Sequence, residues 1–211
     1  AKGVRDTRPF GTLFEVYRDG YEWINHSLAP KTIDEIDSRV RFGGPQCSQP
    51  YDASLLNISA MSFGALSQNA IMALKNGGDL VWQIGTGYFG CRNASGEFDG
   101  ALFATLARGD TVKMIEVKLS QGAKPGHGGI LPAIKLTQEI ADIRHVPMGQ
   151  DVVSPPAHTA FSTPLELLQF IANLRDLSGG KPVGFKLCVG KKSEFLAICK
   201  GMLESGITPD F

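Results

Sequence analysis

From residue 55 to the end, short apolar runs alternate with amphipathic stretches, and this alternation constrains the fold more than any single motif. LLNISA (55–60), KMIEVKL (113–119), DVVSP (151–155) and KPVGFKLCV (181–189) read as strands by their length and apolar content. Between them SQNAIMALK (67–75), TQEIADIR (137–144), TPLELLQFIANLRDL (163–177) and KSEFLAICKGMLESG (192–206) carry the amphipathic pattern of helices. Several helix ends are also legible. Ser67 stands where it caps the first helix, and Thr163, Pro164 and Glu166 form a capping box with proline at the first helical position. Gly206 stops the last helix. Strand and helix in alternation predict a parallel sheet with crossover helices. VGFKLCV, apolar on both faces, fits a strand covered on both sides.

An open doubly wound sheet and a (β/α)8 barrel both satisfy this pattern. No GxxxxGKS/T turn is present, and GTGYFG (85–90), which has GxGxxG spacing, reads as part of a glycine-rich hairpin rather than a strand-to-helix turn, so the usual nucleotide-binding open sheets lose support and the TIM-type barrel is favoured. Residues 1–50 mix aromatics and prolines (Pro9, Tyr17, Tyr21, Trp23, Pro30, Pro45) without a sustained period, and read as an irregular N-terminal arm docked through its aromatics. The remaining 51–211, about 160 residues against the roughly 250 of a barrel, are expected to be only part of one. Further residues are expected between Asn76 and Gly77, where the helix runs straight into a glycine-rich hairpin, and after Phe211.

Charge excludes some partners. Lys+Arg and Asp+Glu are 21 each, so there is no electrostatic footprint for nucleic acid or an anionic membrane, and a small-molecule partner is expected. No apolar run approaches the roughly 20 residues of a bilayer span, and the first residues lack signal-peptide order, which points to a cytoplasmic location. The four cysteines form no CxxC or CxxH pair and there is no HExxH, so no metal site is expected. Glycine, 25 of 211 residues, clusters in loops and suits close backbone approach to a ligand.

Chemistry is expected at strand C-terminal ends, where the βα-loops of a barrel build the site. ISAMSFGALS (58–67) brings small residues and Gly64 there, either for a flat ligand or as a tight turn. WQIGTGYFG (82–90) offers Gln83, whose amide both donates and accepts, although a glycine-rich hairpin explains it equally. IEVKLSQGAKPGHGG (115–129) gathers Glu116, Lys118, Gln121 and Lys124, which suits a dicarboxylate or forms a solvated loop. Lys186, inside an apolar strand, calls for an anion or an electron-rich ring, or else a structural salt bridge. His158 in the loop of SPPAHTAFS (154–162) is a functional candidate, although a lone loop histidine is more often structural or exposed.

MSFGALS (61–67), QIGTGYFG (83–90), IEVKLSQGAKPGHGG (115–129), VVSPPAHTAFS (152–162) and VGFKL (183–187), in this order, closely resemble the FMN-binding synthase domain of the glutamate synthase family, in particular its single-chain glutamate synthase-related branch. The resemblance covers residues 8–211. It implies an FMN-bearing (β/α)8 barrel in which reduced flavin passes a hydride to 2-iminoglutarate, formed from 2-oxoglutarate and ammonia, giving L-glutamate. It further implies that Ser59, Ala60, Met61 and Ser62 line the flavin, that Gln83 contacts the isoalloxazine, and that Lys186 lies near its N1/O2 edge. Gln121 and Lys124 resemble the 2-oxoglutarate-binding pair, with Lys118 nearby. The chain departs from the family pattern at three places. A strand and a loop of NTGEGG type are missing between 76 and 77, the phosphate-binding and iron–sulfur segments would follow Phe211, and His127 stands where a carboxylate is usual. A separate electron donor or glutaminase partner is implied. A related enzyme using another amine, such as an N-methylglutamate synthase, and a flavin-free scaffold fragment are the alternatives.

Overall fold

The computed structural model describes residues 27–29, 38–61, 68–119 and 128–211. The chain divides into two units, Ala1–Asp37 and Ser38–Phe211. Of the first, only residues 27–29 are described.

The second unit begins with strands β1 (Arg39–Phe42) and β2 (Tyr51–Ser54), paired antiparallel from Arg39 against Ser54 to Phe42 against Tyr51. Arg39–Phe42, read above as irregular, is therefore a strand. The intervening loop is fastened to distant residues: the Gly44 N–H donates to the Asp210 carboxylate Oδ1 (2.6 Å), and Gln49 donates from its backbone to Gly180 O (2.9 Å) and from its side chain to Gly179 O (2.7 Å).

Helix α1 (Gln68–Asn76) leads through a turn into β3 (Leu80–Ile84), a strand where the sequence suggested a hairpin. Then follow α2 (Gly100–Ala107), β4 (Val112–Lys118), a short hairpin of β5 (Ile130–Leu131) and β6 (Val152–Val153) enclosing α3 (Gln138–Arg144), α4 (Pro164–Leu177), β7 (Val183–Lys186) and α5 (Lys192–Ser205). β3, β4 and β7 form a three-stranded parallel sheet in that spatial order, which is also their order along the chain. The last residues extend it: the Asp210 N–H donates to Val183 O (2.9 Å) and the Phe185 N–H to Phe211 O (3.2 Å), so 210–211 run beside β7 in the same sense.

The pleat sorts the side chains. Trp82, Ile84, Ile115, Val117, Val183 and Phe185 face the helices and join Phe103 and Ala107 of α2, five residues of α4 from Leu167 to Leu174, and Ile198 of α5 in one core. Trp82 stacks on Phe103 with ring centroids 5.3 Å apart. Burial of each large side chain in this layer stabilises by about 1.5–3 kcal/mol. A smaller cluster of Leu136, Ile140, Ala141 and Val152 lies under the β5–β6 hairpin.

Two expected strands are corrected. Residues 55–60 form no strand: after the Leu55 N–H bond to Ser38 O (3.1 Å), Asn57 donates from its side chain to Ser54 O (2.7 Å), a local bond that turns the backbone, and Leu55, Leu56 and Ile58 are exposed with no partner strand among the described residues. DVVSP contributes only β6 to the hairpin, because β4 is already paired on one edge by β3 and on the other by β7. Among the described residues no helix is long and apolar enough to cross a membrane.

Candidate functional site

Because the three strands of the sheet run parallel, their C-terminal ends and the loops that follow meet on one side. The face turned away from the helices carries Gln83 of β3, Glu116 and Lys118 of β4, and Gly184 and Lys186 of β7. Gln83, Glu116 and Gly184 form one row across the sheet, and Lys118 and Lys186 form the next, nearer the strand ends. Gln83 donates from Nε2 to Glu116 Oε1. That bond fixes the amide and leaves Gln83 a carbonyl oxygen and a second N–H for another partner. Two lysines in register on neighbouring strands repel one another, so this row favours an anion.

Gly184 lets the end of the chain pack against the sheet. A Cβ there would run into the Phe211 backbone, which lies over it, and Phe211 in turn meets the Phe42 ring edge-on at 5.5 Å.

Beside this face a buried polar pair ties two loops together. His158, only 7% exposed, has Nδ1 3.0 Å from the Tyr88 hydroxyl and Nε2 2.8 Å from Lys118 O. The Ala160 N–H donates to the same hydroxyl (3.1 Å). One set of protons satisfies all three contacts: Ala160 donates to Tyr88, Tyr88 donates to His158 Nδ1, and His158 donates from Nε2 to Lys118 O. That set needs a neutral imidazole. Burial holds the His158 pKa below its usual value, opposed in part by the bond to the Lys118 carbonyl. Tyr88 is fully buried and sits at φ 48°, in the left-handed region.

Next to it, the Phe89 ring is flanked by the guanidinium carbons of Arg144 at 4.7 Å and Arg92 at 5.6 Å. Both arginines have their pKa lowered by burial. Cys91 offers no nucleophile here: burial, with a smaller contribution from Asp99, pushes its thiol up to about 12. Among the described residues no group of three or more metal-ligating side chains converges.

Of the residues singled out by the sequence, the structure brings Gln83, Lys118 and Lys186 onto one face. Lys186 is exposed rather than set in buried core, because it ends β7 on the polar side of the sheet. Ser59, Ala60 and Met61 lie exposed on the irregular segment after β2, so the strand end expected to carry them is absent. Ser62, Gln121 and Lys124 fall outside the described residues, as does His127. Sequence reasoning missed Glu116 as the group that holds Gln83, Tyr88 as the partner of His158, and the arginines around Phe89. The alternation of Glu116 with Lys118 along β4 was a usable signal for the first. Nothing local marks the other two.

Comparison with known proteins bears directly on this arrangement. The family profile for the conserved region in glutamate synthase matches residues 47–207, which include the whole parallel sheet. The chain is 39% identical over 215 aligned positions to a glutamate synthase large subunit-like protein, YerD, of Bacillus subtilis, covering 90% of this chain and 41% of that protein. It is 34% identical to an archaeal-type NADPH glutamate synthase of Thermotoga sp. strain RQ2 (61% of this chain, 28% of that protein), and 30% identical to the NADPH glutamate synthase large chain of Azospirillum brasilense (78% and 11%). The chain thus spans less than half the length of each of these relatives. With most of its length matched by the conserved region and the polar strand ends lying inside that match, the chain belongs to the glutamate synthase family.

Proposed function

We propose that this chain carries part of the FMN-binding (β/α)8 synthase core of a glutamate synthase-type oxidoreductase, forming L-glutamate from 2-oxoglutarate and ammonia by way of 2-iminoglutarate. The observation that carries the reading is the row of Gln83, Lys118 and Lys186 at the C-terminal ends of parallel strands, inside the matched region. Sheet strands that neighbour each other in chain order are what a barrel requires, and the last residues adding beside β7 keep that order. In this reading residues 1–50 are the docking arm and 51–211 the partial barrel.

The residues present fit a flavin. Gln83, held by Glu116, offers one donor and one acceptor to a heterocycle edge, and the cationic row of Lys118 and Lys186 favours negative charge beside it. FMN, when bound, supplies two-electron hydride transfer, which no side chain performs. Lys186 lowers the energy of an anionic reduced ring, and Lys118 adds to the same field. Gln121 and Lys124, which follow β4 in sequence, hold the carboxylates of 2-oxoglutarate or of the imine formed from it. Ser59, Ala60, Met61 and Ser62 complete the flavin wall in this scheme. An electron donor or glutaminase partner supplies electrons or nitrogen, and any iron–sulfur cluster lies in sequence outside this chain.

The purified protein is expected to show flavin absorbance and to form glutamate from 2-oxoglutarate and ammonia with a reductant. Turnover with methylamine instead would point to an N-methylglutamate synthase. A protein that takes up no flavin would remove the enzyme reading in favour of a scaffold. Lys186→Met is expected to lower the flavin reduction potential while preserving the fold. Lys124→Ala is expected to weaken 2-oxoglutarate binding by about 1.5–3 kcal/mol, roughly ten- to a hundredfold, with the flavin spectrum intact. Loss of FMN with normal 2-oxoglutarate binding would reassign the loop.

A further inference from the structure

Along β4 the backbone groups of successive residues point to alternate edges. The Leu119 N–H donates to Lys186 O of β7 (2.9 Å), so the Lys118 carbonyl faces the opposite edge, toward β3. β3 ends at Ile84, level with Val117, and the chain turns away through Gly85 to Tyr88. The Lys118 carbonyl has therefore lost its strand neighbour just where the sheet meets the candidate site. A half-buried backbone carbonyl without a partner costs about as much as a lost hydrogen bond. His158 supplies the missing donor through Nε2, and Tyr88, from the loop after β3, holds the imidazole by its other nitrogen. His158 stacks on Phe161 with ring centroids 4.8 Å apart, which fixes the plane of the ring.

We propose that His158 is a positioning residue: held by Tyr88 and Phe161, it substitutes for the missing strand at the end of β4 and so fixes the Lys118–Lys186 row against an anionic ligand. The inference rests on the reading of that row as the flavin-facing site. A histidine 40 residues away in sequence thereby sets the backbone from which Lys118 projects.

Two substitutions separate the role of each ring nitrogen. His158→Gln places an amide N–H where Nε2 stood and keeps the bond to Lys118, whereas His158→Asn reaches only the position of Nδ1 and keeps the contact with Tyr88. Two measurements on the purified full chain are read together: hydrogen-exchange protection of the Leu119 amide, and the dissociation constant for FMN followed by flavin fluorescence. His158→Gln is expected to match the unsubstituted protein in both. His158→Asn is expected to lose Leu119 protection and to bind FMN about tenfold more weakly, the loss of one hydrogen bond's worth of positioning. Equal behaviour of the two variants, whether both intact or both impaired, overturns the proposal. Should no variant nor the parent protein bind FMN, the flavin reading fails, and Leu119 protection alone then decides whether His158 holds the end of β4.

Discussion

Asp210 ties three distant parts of the fold together. Its Oδ2 accepts from Arg175 Nε (3.1 Å) and Nη2 (2.9 Å) and from the Val183 N–H (2.8 Å), while Oδ1 accepts from the Gly44 N–H. Both partners of this ion pair are almost fully buried, at 4% and 1% side-chain exposure. Removing one member of such a pair strands the other charge, so Asp210→Ala is expected to cost about 3–5 kcal/mol in a urea unfolding titration. A cost under about 1 kcal/mol would show that the arginine finds water or another partner. His158 gives a second expectation, with a defined sign. Its folded-state pKa lies below the usual 6.5 because the neutral ring is favoured inside. Above that value the stabilisation is complete. As the pH falls below it, the unfolded chain takes up a proton that the folded chain does not, and stability declines. The urea midpoint should therefore drop, as the pH falls below about 6.5, more in the parent protein than in His158→Gln. At this scale Lys118 and Lys186 stood out as polar residues in strand-like runs, whereas Gln83 stood out only beside its glycines. The Tyr88–His158 bond was not, because its partners are 70 residues apart and neither has a local signature.

Among the elements, α4 is the one most completely written in sequence. Thr163 accepts from the Glu166 N–H (3.2 Å), Glu166 reaches back to the Thr163 N–H (3.2 Å), and Pro164 occupies the first turn. Thr163→Ala should cost about 1 kcal/mol in thermal or chemical unfolding. α2 shows the opposite case. GALFATLA is apolar on nearly every side and so has no helical stripe to read, although Asp99 caps it through the Ala101 and Leu102 N–H groups. The contrast between residues 55–60 and 80–84 is sharper, since both are apolar and of strand length. Leu80–Ile84 pairs with β4, whereas 55–60, beyond the one bond from the Leu55 N–H to Ser38 O, pairs with no strand among the described residues and stays irregular. β7 depends on a glycine for its outer neighbour. In Gly184→Ala the new methyl group would collide with the Phe211 backbone, and the Phe185 amide should lose protection from hydrogen exchange as the terminal residues move off. Unchanged protection would mean that Phe211 shifts without losing its bond.

Across the molecule, stability is concentrated where the sheet meets α2 and α4. Ile115, Val117, Val183, Leu168, Ile171, Leu174 and Phe103 are all fully buried there. Amides at the centre of β4 and in the middle of α4 should exchange slowest, and those of residues 55–61 fastest. Hydrogen exchange followed residue by residue tests this, and comparable rates in the two regions would contradict the assignment of the core. The same layer separates two functions of the sheet. Its apolar face stores the folding energy, and its other face carries the amide, carboxylate and lysines of the candidate site. The site residues can therefore be polar and partly unpartnered without opening the core.

The sequence by itself determined the elements whose signals lie within a few residues: α3, α4 with its Thr163–Glu166 capping box, α5 ending at Gly206, and β4 with its alternation of Glu116 and Lys118 opposite Ile115 and Val117. It also carried the motifs that place the chain in its family. Tertiary structure decided which apolar runs became strands, since a strand exists only with a partner edge and β4 had room for two, β3 and β7. It decided that DVVSP would fold into a hairpin instead of the sheet, and that Lys186 would end on the polar face beside Lys118 rather than inside the core. The physical reason is range. Caps and periodicity act through neighbouring backbone groups, whereas register and the fate of a strand end such as the Lys118 carbonyl are settled by residues such as His158 that only the folded chain brings near.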